Sequence, residues 1–210
     1  FARFVLPMVP ALLVLGASLW AKAPMSLIHG QTGVALGLIA GALILTTEPF
    51  VSSLRFDSLL TCTDTRTLAK RWIEENVPPG SKIAVDWRTH GPPLSTPEQP
   101  RPSSRRQYEV LPVGRTGLSE HTIGWYTEQE FDFLVASSFV YRIPLLDDDQ
   151  SGERERFYSS LDGRLRLAQQ FNPGENAREP DFVFDELYGP IVSLWQRERP
   201  GPTLKVYEVN

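Results

Sequence analysis

Few side chains in this sequence are of a type and spacing that could do chemistry. His90, in Thr89-His90-Gly91-Pro92-Pro93, follows a short apolar stretch, and imidazole is the one side chain that ordinarily titrates near neutral pH. Arg88, Arg101, Arg105 and Arg106 surround the same proline-rich segment and suit a phosphate or another anion. Asp147-Asp148-Asp149 could contribute to a hard-cation site, but adjacent carboxylates seldom all point at one ion. The plainer reading of that run is a solvated loop leading into a helix. His121 lies in another loop, and nothing in the spacing ties it to His90. Trp125, Tyr126, Trp195 and Tyr207 could stack on sugars or fill a core. No glycine-rich phosphate loop, zinc spacing or nucleophile elbow is present, and Gly114-Arg115-Thr116-Gly117 reads as a turn. No catalytic set, metal site or cofactor is evident.

The elements that must position these residues follow from periodicity. Thr63 or Asp64 caps a helix through Asn76, with Leu68, Ala69, Trp72 and Ile73 on one face, and Pro78-Pro79-Gly80 ends it. Lys82 to Asp86 is a buried strand, so His90 stands just past its carboxyl end, where α/β sheets bind ligands. Five prolines between Thr89 and Ser104 predict a mobile loop facing the mouth of a site. Further strands are expected over Tyr108 to Val113, Phe131 to Ala136, Leu165 to Phe171 and Thr203 to Val209. Helices are expected over Ser137 to Tyr141 and Ser151 to Leu161. This alternation predicts a three-layer, mostly parallel α/β domain with an antiparallel pair near the C-terminus.

The first 47 residues are of a different material. Phe4 to Ala21 carries no charged side chain, giving about 27 Å of helix against a hydrocarbon core of about 30 Å. A second uncharged stretch runs from Ala23 to Thr47 and includes the apolar Val34 to Leu45. The expectation is a transmembrane hairpin over 1–57, with spans at about 4–21 and 28–47, followed by an α/β domain over 58–210. Gly33, Gly37 and Gly41 recur every four residues, a face suited to close helix packing. Lys22 in the short connection places that loop in the cytoplasm and the α/β domain outside it. The rival readings are a signal peptide, which would not explain a second span, and a buried core hairpin, against which neither segment shows a polar face.

Only Arg3 and Lys22 of the 21 basic residues precede Glu48, so 19 basic residues face all 25 acidic ones from Glu48 onward. That balance excludes a nucleic-acid partner, whose phosphates require a basic surface. Cys62 is the only cysteine, so no internal disulfide forms.

Arg3-Phe4-Val5-Leu6-Pro7 with Val9-Pro10-Ala11-Leu12 resembles the start of a late membrane helix in GT-C glycosyltransferases similar to bacterial protein O-mannosyltransferases and aminoarabinose transferases. Asp64 to Glu74, Pro78 to Ala84 and Gly201 to Tyr207 resemble, in order, the extracytoplasmic domain of those proteins. The resemblance implies a multi-pass protein of the cell membrane, of which this chain is the C-terminal part. It would transfer a sugar from a polyprenyl-phosphate donor to an extracytoplasmic acceptor, with its catalytic aspartate upstream and a divalent metal there left open. The implied partners are membrane lipid, the polyprenyl-phosphate-linked sugar and the remaining transmembrane helices. Arg3 would meet the lipid phosphate, and Arg88, His90, Arg105 and Arg106 would contact substrate. The alternative is a non-catalytic, membrane-anchored binding or sensor module outside the cytoplasm.

Overall fold

A computed structural model describes residues 14, 16–18, 31–87, 89–102, 104, 106–114, 116–142, 148–174, 179–180 and 194–209. Its contacts divide the chain into two units, Phe1–Arg55 and Phe56–Asn210.

Apart from residues 14 and 16–18, the described part of the first unit belongs to helix α1, Gln31–Leu60, which contains Pro49. The Thr46, Thr47 and Ser53 hydroxyls donate back to the carbonyls of Ala42, Leu43 and Pro49, so this polar stretch satisfies itself within the helix. Leu36, Ile39, Leu43, Ile44 and Leu45 are exposed. Among the described residues no helix is long and apolar enough to cross a membrane, which overturns the expected transmembrane hairpin. The physical reason is length. The strongly apolar run ends at Leu45, before Thr46-Thr47-Glu48-Pro49, and its dozen residues rise only about 18 Å. Among the described residues, a Cβ on Gly37 or Gly41 would meet nothing within 4 Å. Most of the expected first span lies outside the described residues.

The second unit is a mixed α/β domain. Helix α2, Thr65–Asn76, begins where the Asp64 carboxylate accepts the Arg66 N–H at 2.7 Å and ends where the Val77 N–H reaches the Ile73 carbonyl at 2.9 Å. Strands β1 (Lys82–Asp86) and β2 (Glu109–Val113) follow, then a 3₁₀ turn (Gly117–Glu120) and helix α3 (Ile123–Glu128). Strand β3 (Phe133–Ser137), helices α4 (Ser138–Tyr141) and α5 (Asp148–Arg164), and strands β4 (Arg166–Phe171) and β5 (Leu204–Glu208) complete it.

The sheet runs in the order β2-β1-β3-β5-β4. Its β1–β2 and β1–β3 pairings are parallel, while β3–β5 and β4–β5 are antiparallel, so it is mixed rather than mostly parallel. The last strand does not join an edge. It inserts between β3 and β4, which turns half the pairings antiparallel. The crossing is pinned where the Ser138 N–H donates to the Thr203 carbonyl and the Thr203 N–H donates to Ser138 Oγ, both at 2.9 Å.

Alternation along the strands sorts the core into two layers. Ile83, Val85, Val135, Leu204 and Val206 pack with Ala69, Ile73 and Val77 of α2. Ala84, Leu134, Ala136 and Tyr207 face the other way, against Leu118, Tyr126, Tyr158 and Leu161. At the β2 edge the Glu109 N–H donates inward to the Ser81 carbonyl, so the alternate positions 110 and 112 turn outward. Pro112 has no N–H to present there, which blunts the edge against further pairing.

Candidate functional site at the strand ends

From β1 the chain moves outward to β2, then returns across β1 to β3 on its other side. This reversal makes the carboxyl ends of β1 and β3 a topological switch point, the place where open α/β sheets form a crevice. Two side chains from β1 and its following loop define what lies there, one buried and one at the surface.

The buried one is Asp86, with 0% exposure, directly after the apolar Ile83, Ala84 and Val85 of β1. Its Oδ1 accepts the Leu118 N–H and the Tyr158 hydroxyl, both at 2.7 Å, and its Oδ2 accepts the Ser137 N–H at 2.8 Å. The Leu118 N–H is shared with the Tyr158 oxygen at 3.0 Å. One carboxylate thus joins β1, β3, the 3₁₀ turn and α5. Burial pushes Asp86 up from 3.8 to about 6, against the opposing pull of the Tyr158 hydroxyl, the two backbone N–H groups and the Arg154 charge. Tyr158 is raised well above its ordinary value by burial and then by Asp86, so it remains a hydroxyl donor. Gly117 makes the closure possible. Its φ is +70°, and an added Cβ would overlap the Tyr158 hydroxyl and Val140 Cγ1.

The surface one is His90, which is half-buried. Its ring lies 5.1 Å from Trp87 and 5.6 Å from Phe139, edge to face with both. Burial, then the Arg66 charge, lowers its pKa below the usual imidazole value, so the ring is neutral at pH 7. No hydrogen bond to the imidazole forms among the described residues, whereas its backbone is fixed. The His90 N–H reaches the Trp87 carbonyl at 2.8 Å, and the Ser137 hydroxyl donates to the His90 carbonyl at 3.0 Å. Gly91 is needed for close approach, because Val85 Cγ1 occupies the place of a Cβ there. Arg66 adds no free charge to this mouth, being paired with Asp64 at 2.6 Å and donating to the Thr89 carbonyl at 3.1 Å.

Of the residues singled out from sequence, Arg3, Arg88 and Arg105 lie outside the described residues, as does Asp147. Arg106 is not brought to His90. It donates to the Val77 carbonyl at 2.8 Å, before β1 begins, whereas His90 lies past the end of that strand. Asp148 and Asp149 open α5, and among the described residues no group of three or more potential ligands could hold a metal ion. His121 stacks on Trp125 at 3.8 Å, Tyr126 and Tyr207 are buried, and Trp195 is exposed. The proline-rich loop is packed rather than loose. Leu94 joins the core, the Tyr108 N–H reaches the Ser95 carbonyl at 3.0 Å, and Arg101 ties back to Leu94 and Ser95.

No family model, curated protein or solved structure matches this chain. The resemblance to GT-C glycosyltransferases, and with it the sugar-transfer function, the lipid and polyprenyl-phosphate partners and the multi-pass membrane location, is overturned by that result together with the lack of a described membrane-crossing helix. The alternative, a membrane-anchored binding or sensor module, likewise finds no membrane-crossing helix among the described residues. The quoted segments have a plainer cause. Asp64 to Glu74 is a capped amphipathic helix, and Pro78 to Ala84 is a turn feeding a buried strand, a combination any α/β unit can use.

Sequence reasoning missed Asp86, Gly117, Leu118 and Tyr158. A signal existed in Lys82 to Asp86, where a carboxylate closes an apolar strand and needs buried donors. Its donors come from positions 118, 137 and 158, which sequence alone does not bring together.

Proposed function

We propose that the α/β unit is a recognition domain that binds a small ligand bearing a planar ring at the mouth formed by Trp87, His90 and Phe139. The observation that carries this reading is the state of His90. Its ring is flanked by two aromatic rings, fixed through its backbone, and without a hydrogen-bond partner among the described residues, and burial lowers its pKa. A ligand ring would add to the aromatic cluster, and a polar group on it would complete the imidazole's hydrogen bonding.

The buried carboxylate supports binding over proton transfer. Every partner of Asp86 is a donor from the protein itself, and its zero exposure leaves no room for a reacting atom beside it. NMR titration of the full chain with indole, benzoate and nicotinamide tests the reading. At least one probe should move the His90 ring resonances saturably at millimolar concentration, and Phe139→Ala should abolish the shift. Resonances of His90 that stay fixed with all three probes refute it.

A further inference from the structure

We propose that the Gly117–Glu120 turn and Tyr158 form a plug over Asp86 whose opening is coupled to loss of the Asp86 proton, and that this plug regulates the His90 mouth. The geometry supplies both halves of the device. Two contacts hold the plug, from the Leu118 N–H and the Tyr158 hydroxyl, and both converge on one carboxylate that water does not reach and that β3 anchors from the other side through the Ser137 N–H. Gly117 permits the close approach, its missing Cβ leaving the space taken by the Tyr158 hydroxyl and Asp86 Oδ1.

Ser137 is the link to the mouth. Its N–H donates to Asp86 Oδ2, and its hydroxyl donates to the His90 carbonyl. Movement of the carboxylate therefore passes through one residue to the loop that carries His90. The regulatory half of the proposal rests on the recognition reading above, while the plug itself does not.

The direction follows from linkage. A fully buried carboxylate favours its proton, whereas in an opened turn water solvates the charge. The open form thus binds fewer protons, and raising the pH from the ordinary aspartate range through about 6 shifts the balance toward opening. Tyr158 and Arg154 of α5 and Tyr126 of α3 keep their protons, the tyrosines being raised by burial. Glu120, on the turn itself, is exposed and accepts from Thr116 Oγ1 at 3.2 Å. β3 contributes only the uncharged Ser137.

Amide hydrogen exchange on the full chain tests the plug without any ligand. After correction for the intrinsic pH dependence of exchange, protection of the Leu118 and Ser137 amides should fall between pH 4.5 and pH 7.5, by up to about a hundredfold. Both amides should open more readily than Leu134 in the central strand, which reports global unfolding. Asp86→Asn should remove the pH dependence. If that variant does not fold, Tyr158→Phe decides, because deleting one donor to the carboxylate should move the midpoint to higher pH. Constant protection across this range, exchange of Leu118 no faster than Leu134, or an unmoved midpoint in Tyr158→Phe would each overturn the plug. A pH-dependent plug that leaves protection of the His90 amide unchanged would overturn its control of the mouth. Failure of the ring-bearing probes alone would count against the recognition reading and leave the plug standing.

Discussion

Gly117→Ala should be among the most damaging small substitutions in the α/β unit, and Gly80→Ala supplies its internal control. Both glycines have positive φ, +70° at Gly117 and +85° at Gly80, so an alanine at either meets a backbone penalty of about 1 kcal/mol. They differ in what surrounds them. A Cβ on Gly80 meets nothing within 4 Å, whereas one on Gly117 overlaps the Tyr158 hydroxyl and Val140 Cγ1 and stands 2.6 Å from Asp86 Oδ1. Relief requires the turn to lift, lengthening the hydrogen bonds of Leu118 and Tyr158 to the carboxylate. Hydrogen bonds to a charged group contribute about 1.5–3 kcal/mol each, so partial loss of two adds roughly 2–4 kcal/mol to the backbone term. The total is about 3–5 kcal/mol for Gly117→Ala against about 1 kcal/mol for Gly80→Ala. Urea unfolding of both variants and the parent at pH 7, followed by far-UV circular dichroism, measures the difference. Equal losses in the two variants would refute the claim that close packing over Asp86, rather than backbone conformation, makes Gly117 necessary.

Stability of the parent relative to Asp86→Asn should be highest near pH 4 and fall by about 3 kcal/mol as pH rises through about 6, because the raised carboxyl holds its proton more tightly folded than unfolded; urea midpoints from pH 4 to 7.5 check the sign. Asp162 should act in the opposite sense. Burial raises it, but the Tyr207 hydroxyl and the Lys205 ammonium outweigh burial and hold it below 3.8, so its contribution is present above that value and lost as pH falls through the lowered one. Comparing Asp162→Asn with the parent from pH 2.5 to 6 should show a difference that shrinks at the acid end. Leu134→Ala, at a fully buried position in the central strand, should cost about 2–5 kcal/mol by thermal or urea unfolding.

Local chemistry legible in the sequence accounts for the elements around the site. A capping Asp64, the Pro78-Pro79-Gly80 stop and the apolar run before Asp86 specify α2 and β1 through neighbours only a few positions away. The alternation in β5 placed Leu204 and Val206 opposite Lys205 and Tyr207, and the two core layers separate them in that way. The position of His90 past a strand end was legible for the same reason. Helix α3 and the 3₁₀ turn were not, because six and four residues are too few for a helical period to stand out.

Charge-free stretches near the N-terminus suggested membrane spans, yet α1 continues through Glu48, Pro49, Arg55 and Asp57, and the apolar part alone is too short to cross. Composition records how apolar a segment is, not how far one helix carries it. The proline-rich loop shows the converse, since its composition suggests mobility while Leu94 and Ser95 are buried against β1 and Tyr108. The partners of Asp86 were decided by tertiary structure alone. Insertion of β5 between β3 and β4 is a choice of pairing partner, and the carboxylate of Asp86 acquires donors from 32, 51 and 72 residues away. Strand and helix propensities act over a few residues, whereas burial of a charge is compatible only with the fold that brings those donors to one point.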